Sequence, residues 1–397
     1  MTDIEKNLTI PVGPLGIIAL ESSKGMAHEV DNHLVKWRKE REHKHSDNIA
    51  FSEYSRDSYL IEAHCPRFGT GEAKGVIKDS VRGDDLYLLV DVTNHSLKYT
   101  VRGHVNHMSP DDHYQDLKRI IAAVGGKTRR ITVIMPFLYE SRQHRRTTRE
   151  SLDCALALQE LTNMGVESII TFDAHDPRVQ NSIPLKTFES VQCTYQFIKT
   201  LLLCQKDIKI DPDHLMVVSP DEGAMSRAVY FSNVLNIDIG MFYKRRDYSV
   251  IIDGRNPVVA HEFLGTDVEG KDILIIDDMI SSGDSIIEVA KEMKKRKANR
   301  IYCATTFGLF TNGLEKFDNA YEDGIIDKVM TTNLIYQPEE LFDRPWYASV
   351  DMSKYIALLL DTLNHDKSIS KLLSPTDRIR KFVEQYENGE LEDKCES

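Results

Sequence analysis

Short apolar runs rich in β-branched residues alternate with helical patterns along most of this chain, and this alternation strongly constrains its fold. Apolar runs of this length are typical of strands buried on both faces of a sheet. The predicted strands are 86–92, 130–135, 168–172, 215–218, 237–242, 273–276 and 301–306. The predicted helices between them include 151–164, 222–235 and 285–295. Such alternation indicates βαβ units, and therefore an α/β fold with mostly parallel sheets and helices on both faces.

The alternation falls into two blocks, which predicts two tandem doubly wound domains. We expect an N-terminal domain over 13–165 and a C-terminal domain over 166–335, because a chain of 397 residues is long enough for two full cores. Residues 336–397 predict a helical return, through a helix near 354–364, and then an acidic tail. Residues 37–62 are rich in charge and histidine, so we expect a surface insertion there.

Composition and charge argue against several classes of protein. The formal net charge of −12 disfavours a nucleic-acid partner, because a polyanion would be repelled over most of the surface. No apolar run approaches the roughly 18 residues that a membrane span needs, and the N-terminus has no signal-peptide pattern. The 6 cysteines include no C-x-x-C pair, which favours buried free thiols over disulfides or zinc. We therefore expect a cytoplasmic protein that binds neither membrane nor nucleic acid.

The strongest local signal for a binding site is the stretch 273–286. An apolar strand ends in Asp277 and Asp278, a turn of small polar residues follows, and then a helix begins. Ligands of open α/β sheets bind beyond the carboxyl ends of strands, where a polar turn and a helix N-terminus can hold a phosphate. The two carboxylates would face ribose hydroxyls or a metal that bridges them. A capped turn without a ligand is the structural alternative, but two adjacent carboxylates repel each other unless they bind something.

Polar side chains follow three other predicted strands. Arg142 and Gln143 come after strand 130–135, where a guanidinium group suits a phosphate, although a solvated basic run is the alternative. Asp173 and His175 end strand 168–172 and form a candidate metal site, although a lone histidine is usually structural. Asp221 follows strand 215–218, where an aspartate can cap the next helix.

Two further segments add an aromatic turn and a cationic run. Residues 68–72 form a Gly-rich turn that begins with the aromatic Phe68 and ends with the acidic Glu72. A plain surface hairpin is the alternative for this turn. Lys244 and Arg246 follow strand 237–242 with another arginine between them, and adjacent cations in an acidic protein call for an anionic partner or for surface salt bridges.

Taken in order, these segments resemble those of ribose-phosphate pyrophosphokinases, also called phosphoribosyl-pyrophosphate synthetases. The stretch 277–285 resembles the signature of the phosphoribosyltransferase-type fold, and the whole resemblance covers roughly residues 13–335. It implies two phosphoribosyltransferase-like domains, with the ribose-phosphate loop in the C-terminal one. It also implies transfer of pyrophosphate from Mg-ATP to the 1-hydroxyl of ribose 5-phosphate, giving 5-phosphoribosyl 1-pyrophosphate and AMP for nucleotide biosynthesis.

The resemblance also implies a role for each matching residue. Lys244 and Arg246 would be catalytic, while His175 and Asp221 would bind Mg²⁺ with Asp173 in support. An adenine site shared with a neighbouring subunit would make the protein a homo-oligomer built from dimers, up to a hexamer. The residues implied to bind ATP are Phe68, Glu72, Arg142 and Gln143. The residues implied to bind ribose 5-phosphate are Asp277, Asp278, Ser281, Ser282, Gly283, Asp284 and Ser285.

The chain departs from the family pattern at several positions. Ser281 stands where an acidic residue is usual, and Asp284 stands where a glycine is usual, so a carboxylate would lie close to the 5-phosphate. Thr70 and His144 also replace acidic residues. Insertions relative to the family occur near 37–62, near 95–108 and after Arg246.

These departures leave two alternative functions open. A non-catalytic regulatory homologue, assembling with an active synthetase, would explain the altered ribose-phosphate loop. Retention of Lys244 and Arg246 favours the enzyme over this alternative. A phosphoribosyltransferase that joins the product to a base would not explain the segments around Phe68 and Arg142.

Overall fold

The computed structural model describes residues 9–42, 54–246 and 258–391. The strands are β1 (Leu15–Ala19), β2 (Ala63–His64), β3 (Val76–Ile77), β4 (Asp85–Leu89), β5 (Lys98–Val101), β6 (His104–His107), β7 (Arg130–Ile134), β8 (Ser168–Phe172), β9 (Thr187–Val191), β10 (Leu215–Ser219), β11 (Asp238–Arg246), β12 (Val258–Leu264), β13 (Asp272–Ile280), β14 (Ile301–Gly308), β15 (Lys328–Thr332) and β16 (Tyr347–Val350). The helices are α1 (Lys24–Glu42), α2 (Pro110–Val124), α3 (Asp153–Asn163), α4 (Thr194–Cys204), α5 (Met225–Leu235), α6 (Asp284–Lys295), α7 (Glu315–Glu322), α8 (Ser353–Asn364), α9 (Ser370–Leu373) and α10 (Thr376–Glu387).

The chain divides into two compact units, but the boundary differs from the one predicted at 165/166. Unit 1 comprises residues 1–192, 333–336 and 351–374, and unit 2 comprises residues 193–332, 337–350 and 375–397. The boundary shifts because β8 and β9 both pair in the first sheet. The predicted C-terminal segment 336–397 is also divided, since α8 belongs to unit 1 while β16 and α10 belong to unit 2.

Unit 1 is built on a five-stranded parallel sheet with the order β1-β4-β7-β8-β9. Every residue of β4 is buried, as the continuous apolar run predicted. Helix α2 begins with a capping box, in which the Ser109 hydroxyl accepts from the Asp112 amide at 3.2 Å and the Asp112 carboxylate accepts from the Ser109 amide at 2.9 Å. The insertion near 95–108 forms the antiparallel hairpin β5–β6.

Unit 2 is built on a seven-stranded sheet with the order β12-β11-β10-β13-β14-β15-β16. All neighbours are parallel except β12, which pairs antiparallel with β11 at one edge. Strand β13 continues past the predicted end at Ile276, because Asp277 lies opposite Thr305 and Ile280 opposite Gly308 on β14. Both sheets are mostly parallel, so the predicted class, two tandem doubly wound α/β domains, is confirmed.

The segment 37–62, predicted to be a surface insertion, is partly buried where the structure describes it. Arg38 is buried, and its Nε lies 3.1 Å from Asp361 Oδ1 on α8, so α1 packs against α8 through an ion pair. Tyr54 and Tyr59 are also buried, and the Tyr59 hydroxyl donates to the Tyr54 carbonyl at 2.9 Å. Residues 43–53 lie outside the described residues, as does 392–397 of the predicted acidic tail.

No helix within the described residues is both long enough and apolar enough to pass through a bilayer. The described cysteines are all free thiols, namely Cys65, Cys154, Cys193, Cys204 and Cys303.

Candidate functional site

The turn between β13 and α6 in unit 2 has the strand–turn–helix form that the sequence predicted. The strand ends at Ile280, the helix begins at Asp284, and Gly283 is the N-cap residue with φ 84°. A Cβ atom on Gly283 would lie 2.4 Å from Phe317 Cε2, so both the backbone conformation and the space require glycine here. The Ser281 carbonyl accepts from the Thr311 amide at 2.9 Å and fixes the start of the turn.

The acidic pair lies at the end of β13, inside the sheet. Asp278 is 4% exposed, and its Oδ2 lies 3.8 Å from Arg227 Nη2 on α5. The Asp277 carboxylate accepts from the Asp278 amide at 2.8 Å. Burial, followed by the charges of Asp278 and Asp221, raises the pKa of Asp277 well above its ordinary value. The predicted site residues Asp221 and Asp277 are therefore close enough in unit 2 to interact electrostatically.

Asp221 has the capping geometry that was the structural alternative for it. Its Oδ1 accepts from the amides of Gly223 at 2.9 Å and Ala224 at 3.3 Å, in the turn before α5. The predicted helix start at Glu222 is wrong by a few residues, because this turn precedes Met225. Capping engages Oδ1 and leaves the site role of the carboxylate open.

Thr305 is a residue that the sequence reasoning missed. It lies opposite Asp277 on the neighbouring strand β14, and its buried hydroxyl has no hydrogen-bond partner among the described residues. A buried hydroxyl without a partner is unfavourable, so a bound polar ligand would stabilise it. A threonine inside an apolar strand is a common packing residue, and nothing in its local pattern marked it.

Asp284, beside the predicted phosphate position, has a cationic partner. Lys316 on α7 forms an ion pair with its carboxylate, and both side chains are exposed. The hydrogen bond from Lys316, together with one from Ser282, lowers the pKa of Asp284. The carboxylate that replaces the usual glycine is thus matched by a nearby cation.

In unit 1, His144, His175 and Asp176 lie together near the end of β8. Asp173 has φ 38°, and its amide donates to the Val191 carbonyl at 2.9 Å, which turns the chain so that His175 is exposed. The rings of His175 and His144 have their centroids 5.4 Å apart. Nε2 of His144 lies 3.5 Å from Asp176 Oδ2. Hydrogen bonds from Arg178 lower the pKa of Asp176 to about 2.

The sequence reasoning noted His144 only as a departure from the family pattern and did not single out Asp176. The signal that could have found Asp176 is its position next to His175, in a run of acidic and histidine residues. No group of three or more His, Cys, Asp or Glu residues that could hold a metal ion occurs in the described part of the chain.

The loop after β7 holds the predicted Arg–Gln pair. Arg142 is exposed. The Gln143 side chain donates from Nε2 to the Ser151 carbonyl at 2.8 Å, so it ties the two ends of the loop together. Arg142 is thus open to a ligand, whereas Gln143 has a structural contact that the prediction did not include.

Phe68 and Glu72 lie in a tight surface turn, the structure that was the alternative for this segment. The Phe68 amide donates to the Glu72 carbonyl at 2.7 Å, and the Phe68 side chain is 51% exposed. The Thr70 hydroxyl donates to Glu72 Oε2 at 2.9 Å. An aromatic ring displayed on a fixed turn is compatible with stacking on a base.

Lys244 and Arg246 belong to the last part of β11. Their side chains lie outside the described residues, so their predicted roles stay predictions.

These folds and sites define a protein of the phosphoribosyltransferase type with two such domains. A family model described as the N-terminal domain of ribose phosphate pyrophosphokinase matches residues 15–165, and one described as a phosphoribosyl transferase domain matches residues 200–341. The ribose-phosphate pyrophosphokinase of Mycoplasma genitalium is 31% identical over 277 residues, which cover 69% of this chain and 75% of that protein. The chain belongs to the ribose-phosphate pyrophosphokinase family.

The chain is also similar to a second curated relative and to a solved structure. The ribose-phosphate pyrophosphokinase of Vibrio parahaemolyticus is 25% identical over 322 residues, which cover 79% of this chain and 92% of that protein. The crystal structure of phosphoribosylpyrophosphate synthetase from Mycobacterium smegmatis superimposes with a TM-score of 0.68 at 19% identity, covering 89% of this chain and 99% of that one. At this identity the structural likeness shows the fold.

Proposed function

We propose that this chain transfers the pyrophosphoryl group of Mg-ATP to the 1-hydroxyl of ribose 5-phosphate, giving 5-phosphoribosyl 1-pyrophosphate and AMP for nucleotide biosynthesis. The observation that carries the proposal is the β13–α6 turn of unit 2. It joins two adjacent carboxylates, the half-buried Asp277 and the buried Asp278, to a glycine turn and a helix N-terminus. This combination suits a phosphorylated sugar, because the turn binds phosphate while the carboxylates accept hydrogen bonds from ribose hydroxyls.

The ribose 5-phosphate site that we propose uses the whole turn. Ser281, Ser282 and Ser285 supply hydroxyl groups, and Gly283 lets the backbone approach the phosphate closely. Asp284 stands at the first position of α6, where its charge would oppose a phosphate if Lys316 were not paired with it. The unpartnered hydroxyl of Thr305 adds a donor next to Asp277.

We propose ATP-binding groups in each unit separately, namely exposed groups of unit 1 and the cations of β11 in unit 2. Phe68 would stack on adenine, and Glu72 would accept from the adenine amino group. Arg142 would bind the phosphates and Gln143 would hold its loop in place. Lys244 and Arg246 would stabilise the charge that develops during transfer, since phosphoryl-type transfer depends mainly on positioning and charge stabilisation.

The donor set fits a divalent cation of the Mg²⁺ type, which we propose as the cofactor. Mg²⁺ keeps several waters and is bound through one or two carboxylates and substrate phosphates, so an all-protein cage is not needed. We propose that His175, supported by Asp173 in unit 1, and Asp221 in unit 2 are each ligands for such a cation. When bound, such an ion neutralises phosphate charge.

We also propose that the protein is cytoplasmic and acts as a homo-oligomer based on dimers, up to a hexamer. Free thiols at every described cysteine support a reducing compartment. An adenine site that includes Phe68 from a neighbouring subunit would explain why this large apolar side chain is exposed.

The test is to follow AMP and phosphoribosyl pyrophosphate by ³¹P NMR, with purified full-length protein, ATP, Mg²⁺ and ribose 5-phosphate. We expect AMP and a new pyrophosphoryl-sugar signal only when the sugar is present. Asp278→Asn should abolish the signal, while Asp323→Asn, an exposed residue of the same unit, should not. A folded wild-type sample that makes no AMP would contradict the proposal and favour a non-catalytic regulatory homologue.

A further inference from the structure

His144 and His175 have the spacing of two ligands of one metal ion. Their ring centroids are 5.4 Å apart with an interplanar angle of 58°. Two imidazoles that bind the same ion through nitrogens about 2.0–2.1 Å from it hold their rings roughly 5 Å apart. The two residues come from different loops, one after β7 and one after β8, so their proximity results from the fold.

The two nitrogens of His144 have different surroundings. Nε2 lies 3.5 Å from the Asp176 carboxylate, whereas Nδ1 is buried and has no hydrogen-bond partner among the described residues. A buried polar nitrogen without a partner is unfavourable. A carboxylate facing one ring nitrogen favours the proton on that nitrogen and leaves the lone pair on the other, which is the arrangement of carboxylate–histidine–metal triads.

Asp176 is itself held in position. Its Oδ1 accepts from the Arg178 amide at 2.9 Å and from Arg178 Nε at 2.9 Å, at the start of a 3₁₀ helix over Pro177–Ser182. Carboxylates that orient a ligating histidine need this kind of support, because the ring they hold must not rotate. The backbone therefore fixes Asp176, and Asp176 faces His144.

We propose that His144 is a second nitrogen ligand, beside His175, of the divalent cation that serves the reaction. The inference rests on the proposed function, because that function supplies the reason for a cation at His175. In unit 1 the two imidazoles would bind the cation, and water and substrate phosphates would fill the remaining positions.

A second imidazole changes which cation the protein prefers. Oxygen ligands suit Mg²⁺, whereas imidazole suits first-row transition metals, whose affinity rises from Mn²⁺ through Co²⁺. The protein should therefore bind Co²⁺ more tightly than Mg²⁺, and His144 should account for much of the difference. An aspartate at position 144 would exchange a nitrogen donor for oxygen donors and reduce the preference.

The test is direct binding of Co²⁺ to the full chain, followed by the visible absorption of the bound ion, with and without a non-hydrolysable ATP analogue. Wild-type protein should bind Co²⁺ and release it only to a large excess of Mg²⁺. His144→Ala should weaken Co²⁺ binding by about tenfold or more, since even loss of an outer partner costs about 10–100-fold. His144→Asp should narrow the preference for Co²⁺ over Mg²⁺. His104→Ala, at an exposed histidine of β6, is the matched control and should bind like wild type.

The outcomes separate this inference from the proposed function. Equal Co²⁺ affinity and an equal spectrum in wild type and His144→Ala, both folded by their thermal unfolding midpoints, would overturn it. The inference would also be overturned if the wild type failed to bind Co²⁺ both with and without the ATP analogue. Cobalt binding that depends on His144, in a protein that makes no phosphoribosyl pyrophosphate, would support the metal site and contradict the function. Formation of phosphoribosyl pyrophosphate by a protein whose Co²⁺ binding does not depend on His144 would support the proposed function and contradict the metal site.

Discussion

Lys316 of α7 forms an ion pair with Asp284 at the first position of α6. Asp284 occupies the place in the proposed phosphate loop where the family pattern has glycine, and a carboxylate there would oppose a bound phosphate. The ammonium group of Lys316 offsets that charge. The departure at Asp284 therefore has a partner from a separate element of the same unit.

We predict that Lys316→Ala raises the KM for ribose 5-phosphate about fivefold, with little change in kcat. The factor corresponds to about 1 kcal/mol, the upper range for exposed charge pairs, and salt should reduce it. Initial rates at varied sugar concentration and two ionic strengths measure it.

Two control variants isolate the charge effect of Lys316. Lys297→Ala removes an exposed lysine paired with Glu269 in the same unit, and it should leave the KM unchanged. In an Asp284→Gly background, Lys316→Ala should also have little effect, because no carboxylate remains to offset. A fivefold change that persists in that background would show that Lys316 acts independently of Asp284.

Apolar runs predicted the buried strands well, but they did not predict where pairing extends or ends. Strand β8 has the predicted bounds, and its residues 169–172 are buried in a parallel sheet between β7 and β9. Strand β9, with the sequence Thr-Phe-Glu-Ser-Val, lies at the edge of the same sheet and has no apolar run to mark it. The compact units of the structure therefore divide at 192/193 and not at 165/166.

The candidate site shows the same division between local and long-range information. The carboxylates of β13 and the glycine turn could be predicted, because a strand, a turn and a helix follow each other in the chain. The proximity of His144 to His175, and of Lys316 to Asp284, could not, because each pair joins separate loops or helices through tertiary packing. Thr305 was missed because its position opposite Asp277 depends on the register between β13 and β14, which the sequence does not show.

We predict that Gly283→Ala destabilises the protein more than Gly270→Ala does. Both glycines have positive φ, 84° and 75°, but only at Gly283 would a Cβ meet another atom, Phe317 Cε2 at 2.4 Å. Overpacking typically costs about 1–3 kcal/mol beyond the backbone strain that both variants share. Chemical denaturation measures the two free energies of unfolding, and equal losses would show that the Phe317 ring moves aside without cost.

The buried ion pairs between α1 and α8 predict that acid lowers the stability of unit 1. Burial alone would raise the pKa of Asp361, but Arg38 and Arg41 outweigh it, so the pKa of Asp361 lies below its ordinary value. A lowered folded pKa gives stability that is fully present above the unfolded pKa of about 3.9 and is lost as pH falls through the folded value. The thermal unfolding midpoint should therefore fall when the pH is lowered below about 4.

Asp361→Asn tests this source of stability. It leaves two arginines without their carboxylate, and breaking a buried pair in this way typically costs about 3–5 kcal/mol at neutral pH. The variant should also lose part of the acid-dependent drop in midpoint. Asp57→Asn is the control, because Asp57 is 98% exposed beside Lys39 and such exposed pairs contribute little to stability. Equal effects of the two substitutions would contradict a buried origin of the stability.

A shared adenine site predicts that two impaired variants restore activity when they are mixed. Phe68→Ala should raise the KM for ATP about 5- to 150-fold, because stacking of a base on an aromatic ring contributes about 1–3 kcal/mol. Phe342→Ala, which removes a similarly exposed phenyl ring from unit 2, should not change it. Lys244→Ala should lower kcat by roughly 10²–10³.

If Phe68 serves a neighbouring subunit, hetero-oligomers of the Phe68→Ala and Lys244→Ala chains contain some intact sites and regain activity at low ATP. Mixed samples no more active than the sum of their parts, in oligomers shown by mass to have exchanged subunits, would place Phe68 in its own subunit's site.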